Sequence, residues 1–291
     1  MERRDIQSED TVWREKIRPL MVDVKPNIVD ICQYGFTEML NNVFDHSVSP
    51  DALLSYEQTY TKITIHVVDH GIGIFNKIKK DFNLADERTA LLELSKGKLT
   101  SDRKRHSGEG IYFTSRMFDS FTILSYPLCY QRKRPDDDHD DGWLVETSEP
   151  VKNIKGTVVK MEISPWVDRT TREVFEKYQG DDIYFRKTHV PVALGRYPGE
   201  QLVSRSQAKR ILARFTDFAE VILDFKDVEN IGQPFADEIF RVFQADHPGT
   251  PVYAVRANES IQQMIRHVKA STPTSPLPRD EGVGEGDVER S

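Results

Sequence analysis

The most regular signal in the chain is helical. Between Leu20 and Ser47, the residues Ile28, Ile31, Cys32, Phe36, Met39, Leu40 and Val43 recur at spacings of three and four, which places them on one face. At Lys62–Val68 (KITIHVV) the period changes to two, with β-branched residues, as in a strand. Asp69-His70-Gly71-Ile72-Gly73 then breaks it. Leu84–Leu94 predicts a short helix, Ser95–Gly108 a polar basic loop, and Ile111–Phe118 a helix restarting after a glycine pair. Ser120–Tyr126 and Gly142–Thr147 read as strands of a hairpin around the solvated turn RKRPDDDHDD, and Gly156–Ile163 (GTVVKMEI) as another alternating strand. This order predicts an α+β layer, with helices on one face of a mixed sheet.

The pattern then restarts. Thr188–Leu194 (THVPVAL), Val221–Phe225 and Pro251–Val255 read as strands. They alternate with helices over Ser204–Phe218 (Ser204 or Ser206 as N-cap), Phe235–Phe243 and Glu259–Val268. Strands alternating with helices predict a small parallel-sheet α/β domain. Residues 1–20 are mostly charged, with Val12, Trp13 and Ile17 as anchors for a short helical arm. Residues 270–291 show no periodicity and many Pro, Gly, Ser and acidic residues, which predicts disorder. The expected organisation is therefore an arm (1–19), a first domain (20–166), a connector (167–182), a second domain (183–269) and a tail (270–291).

Composition narrows the function classes. No apolar run in the 291 residues approaches the roughly 20 needed to span a bilayer, and the charged N-terminus lacks the apolar core of a secretory signal, so no membrane role is expected. Two cysteines, Cys32 and Cys129, give no disulfide framework and fit a reducing cytoplasm. The 47 acidic residues against 40 basic ones (net charge −7) argue against nucleic acid as a partner. That charge is uneven. The tail from Ala270 carries five acidic and two basic residues, Gln131–Asp141 five and three, whereas Lys96–His106 carries five basic residues against one acidic.

Candidate chemistry sits in four short stretches. Glu38, Asn42, Asp45 and His46 share roughly one face of the long helix. A carboxylate and a carboxamide one turn apart can hold a hydrated Mg²⁺ and orient a water or hydroxyl, though the same spacing also makes a plain solvated helix edge. Asp69-x-Gly71-x-Gly73 follows a strand. There an Asp can accept from an exocyclic amine such as that of adenine, or simply cap a turn. Gly108-Glu109-Gly110 opens a helix, where backbone N–H groups attract phosphate. Gly156-Thr157 opens a strand whose hydroxyl can complete a base pocket.

In this order the four stretches resemble the GHKL ATPase superfamily, which includes gyrase, histidine kinases and anti-sigma-factor kinases. Glu38-Met39-Leu40-Asn41-Asn42-Val43-Phe44-Asp45-His46 looks like its N box, Val68-Asp69-His70-Gly71-Ile72-Gly73 its G1 box, Ser107-Gly108-Glu109-Gly110-Ile111 its G2 box, and Gly156-Thr157 its threonine element. The resemblance covers about Leu20–Pro165 and implies a GHKL (Bergerat) α/β sandwich with a mixed sheet, binding ATP and Mg²⁺. It implies Glu38 as general base, Asn42 as the Mg²⁺ ligand, and Asp69 on the adenine amino group with Thr157 supporting it through water. Gly71 and Gly73 would shape the pocket, and Gly108 and Gly110 would line the phosphates. His46, four residues after Asn42, places the N box nearer the anti-sigma-factor and histidine kinases than gyrase. Ile74–Ser107 would form the ATP lid, with Lys104 and Arg105 nearest the phosphates.

Val221–Phe225, an acidic turn, a glycine and a helix from about Pro234 resemble STAS domains, and more narrowly the uncharacterised STAS-like (DUF4325-type) family, over about Ile183–Val268. Where antagonist STAS domains carry a phosphoacceptor, this chain has Gly232-Gln233-Pro234-Phe235, without a hydroxyl. Gln233, Asp237, Glu238 and Arg241 make either a polar recognition edge or a capped, solvated helix face. The stretch before Leu20 holds no histidine-bearing dimerising hairpin, which turns expectation away from a complete sensor kinase. What is expected is a cytoplasmic ATP-binding regulatory protein, in which Mg-ATP binding and slow hydrolysis switch the contacts of a STAS-like domain with a protein partner. A serine/threonine kinase of the anti-sigma type and a non-catalytic nucleotide-binding module are the alternatives. Oligomeric state stays open, a homodimer included.

Overall fold

Pro26, with its fixed φ suited to a first helical turn, opens the long helix α2 (Pro26–His46). The computed structural model describes residues 8–99, 108–134, 141–146, 155–179 and 185–270. The predicted tail, the middle of the RKRPDDDHDD turn and the basic stretch over 100–107, with Lys104 and Arg105, lie outside them. Helix α1 (Glu9–Val12), capped by Ser8, runs into a π-helical turn, Trp13–Ile17. Val12, Trp13 and Ile17 are buried, and the Trp13 ring meets Phe36 of α2 at 5.6 Å. The arm is thus packed on the first unit through its predicted anchors.

The predicted apolar stripe of α2 is buried, and it packs on an antiparallel sheet. The strands are β1 (Ala52–Gln58), β2 (Ile63–Asp69), β3 (Ser120–Ser125), β4 (Leu128–Lys133), β5 (Asp141–Glu146) and β6 (Thr157–Ile163), in the order β1-β2-β6-β3-β4-β5. In β6 alternate residues from Thr157 to Ile163 are buried, which is the period-two signature of a sheet covered on one face. Lys62, Lys160 and Glu162 pair on the other face. Helices α3 (Ile74–Asp81), α4 (Glu87–Lys96), α5 (Gly110–Met117) and α6 (Thr171–Tyr178) complete this part.

A smaller parallel sheet follows, β7 (Lys187–Pro191), β8 (Glu220–Asp224) and β9 (Val252–Val255), in chain order. Its crossovers carry α7 (Arg205–Leu212) and α8 (Gln233–Asp237). The latter continues through the π-helical stretch Glu238–Phe243 into α9 (Gln244–Asp246), and α10 (Glu259–Ala270) closes the unit. The edge strand β7 does not face water with bare backbone. The Tyr112 hydroxyl of α5 accepts from His189 N–H at 3.2 Å and reaches the Lys187 carbonyl at 3.5 Å.

The α+β class holds, but pairing types are segregated. Every pairing of the first sheet is antiparallel and both pairings of the second are parallel, so the mixture expected within the first sheet is shared between the two. The hairpin partner of β3 is β4, not β5, because Tyr126-Pro127 turns the chain at once and β5 adds outside β4. Strand β1, helix α3 and helix α6 go beyond the sequence reading. The strand over Thr188–Leu194 stops at Pro191, where a 3₁₀ turn begins. The helix over Ser204–Phe218 stops at Leu212, because Arg214 turns left-handed (φ 62°).

His189 gives this fold a pH signature. Burial pushes its imidazole down to about 3. Arg116, Arg132 and Arg256 push the same way, while Asp224, 3.6 Å from Nε2, opposes them. An unfolded chain takes up this proton near pH 6.5, whereas the folded one does not until about pH 3. The unfolded state therefore binds more protons between those values, and stability falls as pH drops through them, by up to about 1.4 kcal/mol per pH unit from this group. In denaturant unfolding between pH 7 and 4, His189→Gln is expected to flatten that fall. Equal slopes in the two proteins would refute the assignment.

Candidate functional site

Burying the stripe of α2 against the sheet fixes the helix's rotation, and with it where the neighbouring polar edge points. Glu38, Asn42 and His46, at i, i+4 and i+8, line one cavity of about 360 Å³, within the range of small-molecule sites. Asp45, assigned to the same edge, is exposed and does not line it, since one residue of helix rotates by about 100°. Asn41 and Ser47 border the cavity instead.

Asp69, the last residue of β2, enters from the sheet. It stands directly opposite Thr157 in the β2–β6 ladder. Its Oδ1 accepts from Gly71 N–H at 2.8 Å, and the Thr157 hydroxyl takes the Ile74 N–H at 3.0 Å at the start of α3. Burial raises the Asp69 carboxyl above its ordinary value, while the Gly71 N–H and the hydroxyl and N–H of Thr157 work to lower it. The glycine turn is clamped to the end of α2, Ile72 N–H donating to the Ser47 carbonyl at 3.0 Å. A Cβ on Gly71 would collide with that carbonyl. Gly71 thus shapes the site without lining it, whereas Gly73 does line it.

The third side comes from the start of α5. Gly108 and Gly110 both line the cavity, and a Cβ on Gly110 would run into the Glu38 carboxylate. At residue 110 the backbone lies close against the Glu38 carboxylate, next to N–H groups that no helix turn satisfies. Leu99 N–H donates to the Gly108 carbonyl at 3.3 Å. Val43, Val67, Ile78, Phe82 and Ile111 supply apolar wall.

Helix α3 adds two residues that sequence reading missed. Lys77 and Asp81 line the cavity and pair at 2.6 Å. Ile74, Phe75, Ile78 and Phe82 carry a helical signal there, at spacings of three and four. Two cations assigned to that lid are engaged elsewhere: Lys96 is buried against Glu93, and Lys98 donates to the Asp217 carbonyl. Lys104 and Arg105 lie outside the described residues. Among the described residues no group of three His, Cys, Asp or Glu is placed to hold a metal ion alone, and no helix is long and apolar enough to cross a membrane.

The second unit carries a likeness to a known family. Its strand–turn–helix order, β8 into α8, lies inside the matching stretch. Residues 207–254 match the STAS-like domain of unknown function (DUF4325). No curated protein matches the chain. Just before this stretch Ser204 forms a capping box with Gln207 and so serves α7 as its N-cap. Asp237 accepts from Arg205 and Arg241, and Glu238 is buried near Arg205 and Lys209. Of the stretch weighed as a recognition edge, Asp237 and Glu238 pair with Arg205 and Lys209 of α7, whereas Gln233 is exposed.

The close approach at Gly71 yields a stability test. Gly71→Ala forces the turn away from Ser47, so thermal unfolding should show a loss of about 1–3 kcal/mol, the usual cost of overpacking. A variant as stable as the parent would contradict this geometry.

Proposed function

We propose that the first unit is a GHKL-type nucleotide-binding domain, and that the chain is an ATP-dependent regulatory protein whose slow ATP hydrolysis resets contacts made by its STAS-like unit. One observation carries this reading. Glu38, Asn42 and His46 from α2, Asp69 from β2, Gly108 and Gly110 from the start of α5 and its approach, and Thr157 from β6 come from four separate stretches and border a single cavity.

The donor set suits the ligand. Asp69 would accept the exocyclic amino group of adenine, and Thr157 holds that carboxylate in place. The N–H groups at the start of α5 would take phosphate oxygens, and the space a Cβ at Gly110 would fill is what lets them approach. Asn42 would be the one protein ligand of Mg²⁺, which commonly rests on few protein groups plus the substrate's phosphates. That ion would supply neutralisation of phosphate charge. Glu38, beside Gly110, would take the proton from an attacking water as its oxygen bonds to the terminal phosphorus. The bond to the bridging oxygen then breaks, giving ADP and phosphate.

Titration of the full chain with MgATP tests the reading. The parent should bind, and Asp69→Asn should weaken binding by about 1–3 kcal/mol. It keeps an oxygen for Gly71 N–H but turns the other acceptor into a donor. Glu38→Ala should still bind while releasing phosphate about 10²–10⁴-fold more slowly. No binding by the parent would sink the proposal. Label transferred from γ-labelled ATP to a protein in place of free phosphate would favour a kinase.

A further inference from the structure

The turn leaving α4 lies between the cavity and the STAS-like unit. Leu94 and Leu99 line the cavity. Lys96, Gly97 and Lys98 lie between them, and all three of their carbonyl oxygens are taken by side chains of the second unit. Thr188 Oγ1 donates to the Lys96 carbonyl at 2.7 Å, and Arg214 Nη2 donates to those of Gly97 (3.0 Å) and Lys98 (2.8 Å). The grip is returned: Lys96 Nζ donates to the Ala213 carbonyl at 2.8 Å and Lys98 Nζ to that of Asp217 at 2.7 Å.

Arg214 is itself fixed. Its Nη1 meets Glu93 Oε2 and its Nε meets Asp217 Oδ2, both at 3.2 Å. Gly97 and Lys98 are both left-handed (φ 81° and 53°), a conformation that a non-glycine residue holds only when its surroundings determine it. Immediately after this turn, Leu99 N–H binds the Gly108 carbonyl. A continuous path therefore runs from the Arg214 guanidinium, through the Lys98 carbonyl and Leu99, to the glycine that opens toward Gly110 and Glu38.

We propose that Arg214 is a positioning residue through which the STAS-like unit sets the affinity of the cavity for its nucleotide, by holding the 96–99 turn in the shape that delivers Leu99 and Gly108 to the cavity wall. The inference rests on the nucleotide-binding reading above. Its linkage is reciprocal: a bound nucleotide tightens the turn's hold on Arg214, and a partner that draws Arg214 away weakens nucleotide binding by the same factor. The lysine of Arg214→Lys keeps a charge for Glu93 but loses the fork that bridges two carbonyls.

The test titrates MgATP into the full-length parent, Arg214→Lys, Arg214→Ala, Thr188→Val and the control Arg205→Ala, whose exposed guanidinium on α7 pairs with Asp237 of α8 and not with the turn. Unfolding of each variant is followed separately. Both Arg214 variants should bind on the order of tenfold more weakly at a temperature where they are folded, and Arg205→Ala should bind like the parent. In the parent alone, MgATP should slow hydrogen exchange in peptides covering residues 94–99 and 213–217, a readout that needs no variant to fold. If the parent binds and folded Arg214→Lys binds equally, or if exchange at 213–217 ignores MgATP, this inference falls and the nucleotide reading stands. If the parent does not bind, both fall.

Discussion

Burial of one face of α2 is the constraint on which the site depends. Ile28, Ile31, Phe36, Met39, Leu40 and Val43 each lose nearly all contact with water. A fully buried side chain of this size contributes about 1.5–3 kcal/mol, so together they leave the helix one rotational setting. That setting carries Glu38, Asn42 and His46 to the cavity and turns Asp45 to solvent. Rotating the helix by one residue would expose the stripe and empty the site at once. Stability and chemistry are thus written on adjoining edges of one helix.

The second constraint is closeness. Three backbone approaches around the cavity are tighter than side chains allow: the Asp69–Gly73 turn against the Ser47 carbonyl, Gly156 against the backbone of Asp69, and the start of α5 against Glu38. Strand register does the remaining placement, since Asp69 and Thr157 meet as opposed partners of the β2–β6 ladder. The glycines of the chemistry-bearing stretches act here mainly as spaces. They let acceptors and N–H groups converge on a volume suited to a small molecule.

The two units are less separate than their sequences suggest. Their buried residues form one continuous core, and Lys96 lies at the joint, fully buried with Glu93 and close to Arg214. Burial pushes the Lys96 ammonium down to about 8, Glu93 opposing. Groups taken so far from water are held only where partners satisfy them, so such a cluster specifies one docking geometry more than it adds stability. The basic stretch that looked like a free lid is, at Lys96 and Lys98, part of this joint.

Local chemistry was legible in the residues themselves. The period of α2, the alternation of β2 and β6, the glycine pairs and the acidic tips of strands follow from nearest-neighbour sterics and from which face must be buried. So the element types, and the polar residues and glycines of the four chemistry-bearing stretches that border the cavity, could be read one segment at a time. The STAS-like stretch was legible for the same reason, in its order of strand, turn and helix. What the sequence could not decide was partnership across distance. Strand β4 pairs with β3 rather than leaving that place to β5, the first sheet is antiparallel throughout, and Lys77 and Asp81 reach the cavity. Lys96 and Lys98 are consumed by Glu93 and the Asp217 carbonyl, and Asp237 and Glu238 are consumed by a helix seam. A lysine's sequence neighbours do not say whether it will meet water, phosphate or a buried carboxylate. That depends on what the fold packs against it, and only the tertiary structure supplies that.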